Sequence, residues 1–361
     1  MKKAIAGILA ITLCAALCGC DSWMDGSYYN YTPHSQDSSL VQQGALEASS
    51  FQQIRDVLVA LVAEGRQEAV IRIVDIPNEL INNNMRNAVR FVMERDSIGA
   101  YAVEEITYEI GTSAARSVVA VEITYARSRS DILRIKKTSN MQEAKDVIMA
   151  ALENCDSGVV LQVESFEETD FVQLIEDYVD ANPHVCMEMP QVSVTLYPES
   201  GRERVIELLF AYQSSREDLR DMQAYVEPVF VASDLNVQGE ESESTKFNMI
   251  FSFLMERNDY QIGTSITPSY SLLRYGVGDS KAFAVVYAAM CRRADLQCMV
   301  VNGTRAGVPW VWNIICQDGV YYHVDLLQSS GMRDLYLLDE SDMQGYVWDY
   351  SAYPAPGTAI E

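Results

Sequence analysis

The chain has 361 residues, of which 48% are hydrophobic, and it carries a formal net charge of −24. This length is enough for about two or three domains, and the hydrophobic fraction is typical of well-packed globular proteins. Nucleic-acid binding relies on Lys and Arg side chains that displace counterions from phosphates, so a chain this acidic is not expected to bind nucleic acid. The same charge opposes adsorption to anionic lipid head groups.

The first 20 residues, MKKAIAGILAITLCAALCGC, have a basic start, an apolar run and a cysteine at its end. This is the layout of a secretory signal. Residues 17–20, LCGC, resemble a bacterial lipobox, which implies that the leader 1–19 is removed and that Cys20 receives a lipid such as palmitate. An ordinary signal peptide and a membrane anchor are the alternatives, but the apolar run at 4–17 is shorter than the roughly 20 residues of a spanning helix.

The predicted lipobox implies that the protein lies on the extracytoplasmic face of the cell membrane. Its partner is then the membrane itself, to which the lipid attaches it. The segment that follows, residues 20–46, is rich in Ser, Tyr and other polar residues. Such a composition is typical of a flexible tether. We therefore predict a polar tether between the lipid and the first folded domain.

Residues 47–134 and 135–222 contain the same succession of predicted elements. The helix pattern FQQIRDVLVALVAEG matches MQEAKDVIMAALENC, and the strand pattern EAVIRIVDI matches SGVVLQVES. A second helix and two further strands follow in both segments. Phe51 aligns with Met141 and Tyr125 with Tyr212, at offsets of 90 and 87 residues. We predict two tandem αβαββ repeats that arose by duplication.

Few residues outside the C-terminal third suggest chemistry. His34 and His184 are isolated in the sequence and are expected to be solvated. Five cysteines follow Cys20, and because they are scattered and mostly in apolar runs, buried free thiols are favoured; they are Cys155, Cys186, Cys291, Cys298 and Cys316. The sequence does not decide whether two of the last three form a disulfide. Neither a CxxC motif nor a His/Cys cluster occurs, so we expect no metal and no cofactor.

Residues 223–361 are predicted to form a separate α+β domain. An amphipathic helix, KFNMIFSFLMERNDY, precedes a glycine turn and a second, strongly apolar helix, RYGVGDSKAFAVVYAAMC. Three strand patterns follow, QCMVVNG, PWVWNIICQDG and VYYHVDLL. Asp318-Gly319 is a hairpin signal between the last two. The predicted fold class is therefore α/β (α+β), with two tandem repeats followed by this domain.

The segment from about 246 to 354 resembles the bacterial transglutaminase-like domain, which has a papain-like, cysteine protease-type fold. Four motifs carry the resemblance, Asn258-Asp259-Tyr260, Gly278-Asp279-Ser280, Trp310-Val311-Trp312-Asn313 and Tyr321-Tyr322-His323-Val324-Asp325. In that family a Cys nucleophile, a His base and an Asp that orients the His form a triad. Carried over position by position, the resemblance puts Ser280, Trp310 and Asp325 at the three places.

Two of these three triad positions are changed. A thiol at a helix N-terminus beside His becomes a thiolate at neutral pH, whereas a Ser hydroxyl needs a base. The Trp310 indole has an N–H donor and no acceptor, so it cannot be that base. We expect Ser280 to cap its helix and Trp310 to donate its N–H to Asp325. The resemblance then implies an inactive domain, a pseudoenzyme whose use is binding of peptide, protein or cell-wall material.

Two other functions stay open from the sequence. His323 could act as the base in a rearranged set of Ser280, His323 and Asp325, because His323 and Asp325 share a face of one strand. The protein would then be an active hydrolase or acyltransferase of the protease type. Cys291 as a substitute nucleophile is disfavoured, since it lies well down an apolar helix. The third function is a structural role in a surface assembly, with the repeats making the contacts.

Overall fold

The computed structural model describes residues 46–113, 116–263, 265–338, 341–355 and 357–358. The predicted leader, Cys20 and His34 lie outside these residues. No helix in the described ranges is both long enough and apolar enough to cross a membrane.

The first α/β module is a four-stranded sheet covered by helices on one side. Its elements are β1 (Leu46–Ala48), α1 (Phe51–Ala63), β2 (Glu68–Ile73), α2 (Asn78–Glu94), α3 (Ser97–Ala102), β3 (Val103–Ser113), β4 (Arg116–Tyr125) and α4 (Arg129–Leu133). The strand order is β1-β2-β4-β3, and only the β1–β2 pair is parallel. Ile54 and Leu58 of α1 pack with Ile71 of β2 in a core of its own.

The second module has a sheet with the same strand order, although the first module contains an additional short helix, α3. Its elements are β5 (Lys136–Thr138), α5 (Met141–Glu153), β6 (Gly158–Val163), α6 (Phe171–Ala181), β7 (Gln191–Tyr197) and β8 (Arg204–Ala211). The strand order is β5-β6-β8-β7, again with a parallel first pair. The two sheets thus have the same topology, whereas an origin by duplication stays a prediction.

The observed modules differ from the predicted ones in detail. Each begins with a three-residue strand, β1 or β5, that the sequence analysis missed. A strand this short contains too few residues to give an alternating pattern. The predicted limit between 46 and 47 falls inside β1. The predicted limit between 222 and 223 falls inside the helix α7 (Arg216–Val237), which runs on from the second module into the next.

A polar and aromatic contact joins the two modules. Ser97 Oγ at the start of α3 donates to Glu203 Oε1 at 2.6 Å, and Gln162 Nε2 of β6 donates to the same oxygen at 2.7 Å. The rings of Tyr101 and Tyr197 meet edge to face, with centroids 5.4 Å apart. The α3 region of the first module therefore covers part of the outer face of the second sheet, while Leu209 of β8 stays exposed.

The C-terminal part combines helices with a five-stranded antiparallel sheet. After α7 come α8 (Glu243–Met255), β9 (Asp259–Tyr260), α9 (Pro268–Tyr275), β10 (Val277–Gly278), α10 (Ser280–Arg293), β11 (Cys298–Arg305), β12 (Val308–Gln317), β13 (Val320–Val324), β14 (Leu337–Leu338) and β15 (Tyr346–Trp348). The five strands are ordered β14-β13-β12-β11-β15, and β9 and β10 form a separate parallel pair. The predicted helix, glycine turn, helix and three strands are all present.

Helix α10 is the centre of this part. Its residues from Ala282 to Cys291 are all buried, as expected for a helix that is apolar on every side. Asn313 of β12 donates from Nδ2 to the carbonyl of Ala284 at 3.0 Å, so this face of the sheet lies against α10. The hairpin between β12 and β13 turns at Asp318 and Gly319, whose φ values are +51° and +79°. Such a turn matches the sequence prediction at this place.

Candidate functional site

Ser280 is the first residue of α10, and Asp279 separates it from the end of β10. The prediction that Ser280 caps this helix is wrong. Asp279 is the cap, and its Oδ1 accepts a hydrogen bond from the Ala282 N–H at 2.9 Å. Asp is as good a capping residue as Ser, and its negative charge is in addition stabilised by the positive end of the helix dipole.

Ser280 makes a different contact, to the strand β12. Its Oγ accepts a hydrogen bond from the Val311 N–H at 3.2 Å, and the residue is 8% exposed. This bond attaches the start of α10 to the backbone next to Trp310. Ser280 therefore lies beside the strand segment that contains Trp310, as expected. Its hydroxyl accepts from a backbone N–H and does not donate to a base there.

The side chains of Trp310 and Asp325 are hydrogen-bonded to each other, as predicted from the sequence. The Trp310 Nε1–H donates to Asp325 Oδ2 at 2.8 Å. Trp310 lies on β12 and Asp325 follows the neighbouring strand β13, so adjacent strands bring the two together. The indole thus supplies the N–H that an orienting carboxylate receives from a histidine in a triad.

Asp325 has more partners than Trp310 alone. Its Oδ2 also accepts from the Tyr346 hydroxyl at 2.6 Å and from Arg305 Nη1 at 3.2 Å. Its Oδ1 accepts the backbone N–H groups of Leu327 and Gln328 at 3.0 and 3.3 Å. Asp325 is 1% exposed, and a buried carboxylate requires this kind of saturation by donors and by a cation.

Arg305 and Tyr346 belong to the Asp325 network, but no sequence motif pointed to them. The Arg305 guanidinium lies 5.5 Å from the Trp310 ring centroid and 5.2 Å from the Tyr346 ring centroid. Burial raises the pKa of the Tyr346 hydroxyl, and the hydrogen bond from this hydroxyl to Asp325 raises it further. The register of β11 and β12 pairs Gly303 with Trp310. Arg305 therefore shares the face of Trp310, because it lies two residues beyond Gly303.

His323 is not directed at Ser280. Its Nδ1 accepts from the Trp312 Nε1–H at 2.8 Å, and its ring lies 4.9 Å from that of Trp348. The residue is fully buried, and burial lowers the pKa of its imidazole to about 4. Across the sheet it is paired with Ile314, so it belongs to the face opposite to the Asn313 contact with α10. The structure does not bring the rearranged set Ser280, His323 and Asp325 together.

The remaining titratable candidates are in apolar surroundings. All five cysteines after Cys20 are buried and free, so the disulfide left open among Cys291, Cys298 and Cys316 is not formed. Burial raises the pKa of the Cys291 thiol well above its usual value, as for a core cysteine. His184 is half-buried against Phe230, at 5.3 Å between ring centroids, so its expected solvation is wrong. Among the described residues, no three His, Cys, Asp or Glu side chains converge as a metal site would need.

A family comparison agrees with the geometry. Residues 232–326 match the model described as the Transglutaminase-like superfamily. This segment is a transglutaminase-like domain. Comparison of the sequence with curated proteins gave no match.

Solved structures overlap weakly with the chain that contains this transglutaminase-like domain. A crystal structure of a TGase has 12% identity and a TM-score of 0.27 over 55% of this chain and 59% of its own. A candidate cysteine protease from Cytophaga hutchinsonii has 11% identity and a TM-score of 0.26 over 44% of this chain and 70% of its own. A candidate protease from Parabacteroides distasonis has 10% identity and a TM-score of 0.24, over 72% of this chain and 40% of its own. The chain thus spans less than two thirds of the TGase.

Proposed function

We propose that the transglutaminase-like domain is a non-catalytic binding domain, carried by a lipoprotein at the extracytoplasmic face of the cell membrane. Its ligand is peptide or cell-wall material. The observation that carries this proposal is the hydrogen bond from Trp310 Nε1 to Asp325 Oδ2. It occupies the place of the base with a group that can donate but cannot accept a proton.

Ser280 has no route to activation in this arrangement. Its Oγ accepts from the Val311 N–H. A serine hydroxyl becomes a nucleophile when an adjacent base takes its proton, and the helix terminus alone does not replace that base. Members of a triad act as a unit, so loss of the base removes most of the rate that the triad provides.

The negative charge of Asp325 is also balanced by its neighbours. Arg305 and the Tyr346 hydroxyl bind the same oxygen as Trp310, and two backbone N–H groups bind the other. In a working triad this carboxylate stabilises an imidazolium that forms during the reaction. Here its charge is balanced in the resting protein, which favours a structural role for Asp325.

A binding role is supported by the aromatic surface that remains. The exposed ring of Tyr260 lies 5.5 Å from the half-buried Trp310 ring, beside the start of α10. Large aromatic rings at a partly exposed site provide apolar contact area at a low entropic cost and are enriched in interfaces. The site therefore keeps contact surface after the loss of its chemical groups.

Turnover assays on the purified full-length protein test the proposal. We expect no amine incorporation and no amide hydrolysis above the level of a Ser280→Ala variant. Binding to isolated cell-wall sacculi and to their peptides should be the same in both proteins, because Ser280 supplies only an acceptor for one backbone N–H. A turnover that Ser280→Ala abolishes would show that the domain is an enzyme.

A further inference from the structure

An open pocket of about 340 Å³ lies beside the start of α10. Its polar lining comes from Gln261, Ser265, Ser271 and Asp279, and its apolar lining includes Tyr275 and Val277. Within the described residues, its lining includes no member of the Trp310–Asp325 network. The volume falls in the range of about 300–1,000 Å³ that is typical of small-ligand sites.

An apolar side chain of the pocket lining is largely exposed. Tyr275, which lines the pocket, is 65% exposed, and Ile262, which lies in the chain between the lining residues Gln261 and Gly263, is 85% exposed. A single exposed apolar side chain needs no explanation, but exposed apolar side chains at a concave site are typical of a surface that a ligand covers. The pocket is therefore suited to a ligand with an apolar face.

The polar groups of the pocket indicate that the ligand is uncharged. Asp279 is the charged residue of the lining, and its Oδ1 is bound to the N-terminus of α10. The positive end of the helix dipole offsets part of its charge, so the pocket has no strong preference for a cation. The lining contains no Lys, Arg or His that would bind an anion.

Hydroxyl groups form a short chain on one wall. The Oγ atoms of Ser265 and Ser271 lie 2.7 Å apart, and Ser265 Oγ also accepts from the Thr267 N–H at 3.1 Å. Each hydroxyl can donate and accept, and the Gln261 amide adds donors and an acceptor. A wall of this kind is suited to a ligand that itself carries several hydroxyl or amide groups.

We propose that this pocket binds one sugar ring of an uncharged glycan. The apolar face of the ring lies on Tyr275, and its hydroxyl groups bind Asp279, Gln261 and Ser271. The proposal rests on the binding role proposed above and names the ligand class, since a sugar ring combines one flat apolar face with a rim of hydroxyl groups.

The test is calorimetric titration of the full-length protein in detergent with tri-N-acetylchitotriose and cellotriose. We expect saturable binding of at least one trisaccharide, weakened about tenfold by Tyr275→Ala because the stacking surface is lost. Asp279→Asn keeps the helix cap and should weaken binding severalfold. The matched control is Tyr350→Ala, since Tyr350 is 66% exposed and its ring also contacts a neighbouring ring, that of Trp348.

Three outcomes would overturn the sugar site. The first is the lack of saturable binding of either trisaccharide, and the second is binding that Tyr275→Ala leaves unchanged. The third is binding of the diamine putrescine, lost in Asp279→Asn, in place of the sugars. None of these bears on the turnover assay, so the failure of the sugar site is distinguishable from the failure of the non-catalytic proposal.

Discussion

The indole of Trp310 donates to Asp325 at 2.8 Å, and the same carboxylate oxygen accepts from Tyr346 and Arg305. A buried carboxylate without donors would be strongly unfavourable. The Trp310 N–H therefore helps to keep the buried Asp325 carboxylate hydrogen-bonded. This relationship gives Asp325 a structural role that does not depend on catalysis.

Replacement of Asp325 by Ala should destabilise the protein. The variant leaves the Trp310 N–H and two backbone N–H groups without their acceptor, whereas the Tyr346 hydroxyl can still donate to Gln328 Oε1 at 3.0 Å. We expect a loss of about 2–4 kcal/mol in the free energy of unfolding, since several buried donors lose their partner. Urea denaturation followed by tryptophan fluorescence measures this loss.

The control for this variant is Asp56→Ala. Asp56 pairs with Arg55 at 2.7 Å, but the pair lies at the surface. An exposed pair of this kind contributes about 0–1 kcal/mol, so the control should change stability little. Equal effects of the two substitutions would mean that the Asp325 network has no structural role.

His323 should make stability depend on pH. Burial lowers the pKa of its imidazole to about 4 from the ordinary 6.5, so between these values the unfolded chain binds the proton and the folded protein does not. The unfolding free energy should therefore rise with pH in this window and fall as the pH drops from about 6.5 to 4. The contribution of His323 is about 3 kcal/mol at most, fully present above pH 6.5.

Urea unfolding at several pH values between 4 and 7 measures this slope. His323→Gln retains an acceptor for the Trp312 N–H and removes the titrating group, so the slope should become shallower. His184→Gln serves for comparison, because burial also lowers the pKa of His184, but that residue is only half-buried. An unchanged slope in His323→Gln would contradict the assignment of His323 as a neutral core residue.

Contacts between residues of recognised motifs could be predicted from the sequence, whereas contacts that depend on strand register or on residues outside the motifs could not. The Trp310–Asp325 hydrogen bond could be predicted from the family resemblance, whose motifs place Trp310 on β12 and Asp325 directly after the adjacent strand β13. Arg305 and Tyr346 could not be found in this way, because Arg305 reaches the site through the β11–β12 register and Tyr346 lies 21 residues after Asp325. The capping error at Ser280 is a boundary error, because Asp279 and Ser280 are both good capping residues.

The fold was predictable to a similar extent. Long elements such as α10 and the αβαββ succession have hydrophobic periods that the sequence displays. The strands β1 and β5 are too short for such a period. Helix α7 crosses a predicted domain limit because it packs into a single core along its whole length. Leu219 near its start and Val237 at its end are both buried in the same core cluster as α8 and α10.

The lipid anchor is testable without structural information. Cys20 follows an apolar run at the spacing of a lipobox. Cys20→Ala should move the protein from the membrane fraction to the soluble fraction or leave it with an uncleaved leader, and metabolic labelling with a fatty acid should be lost. Cys18→Ala is the matched control, because it changes a cysteine two residues earlier and should leave both readouts unchanged. Membrane partition and labelling that persist in Cys20→Ala would refute lipidation at this residue.

Combined substitution of Ser280→Cys and Trp310→His should restore weak thiol reactivity. The helix N-terminus and a neighbouring imidazole both favour a thiolate, and Asp325 is in place to orient that imidazole. Labelling with iodoacetamide at neutral pH measures the effect with little background, because the five cysteines of the described residues are buried. Ser280→Cys alone is the control and should react more slowly, since it has the helix terminus but no imidazole. Equal labelling rates for the single and the double variant would show that position 310 does not face position 280 as a base must.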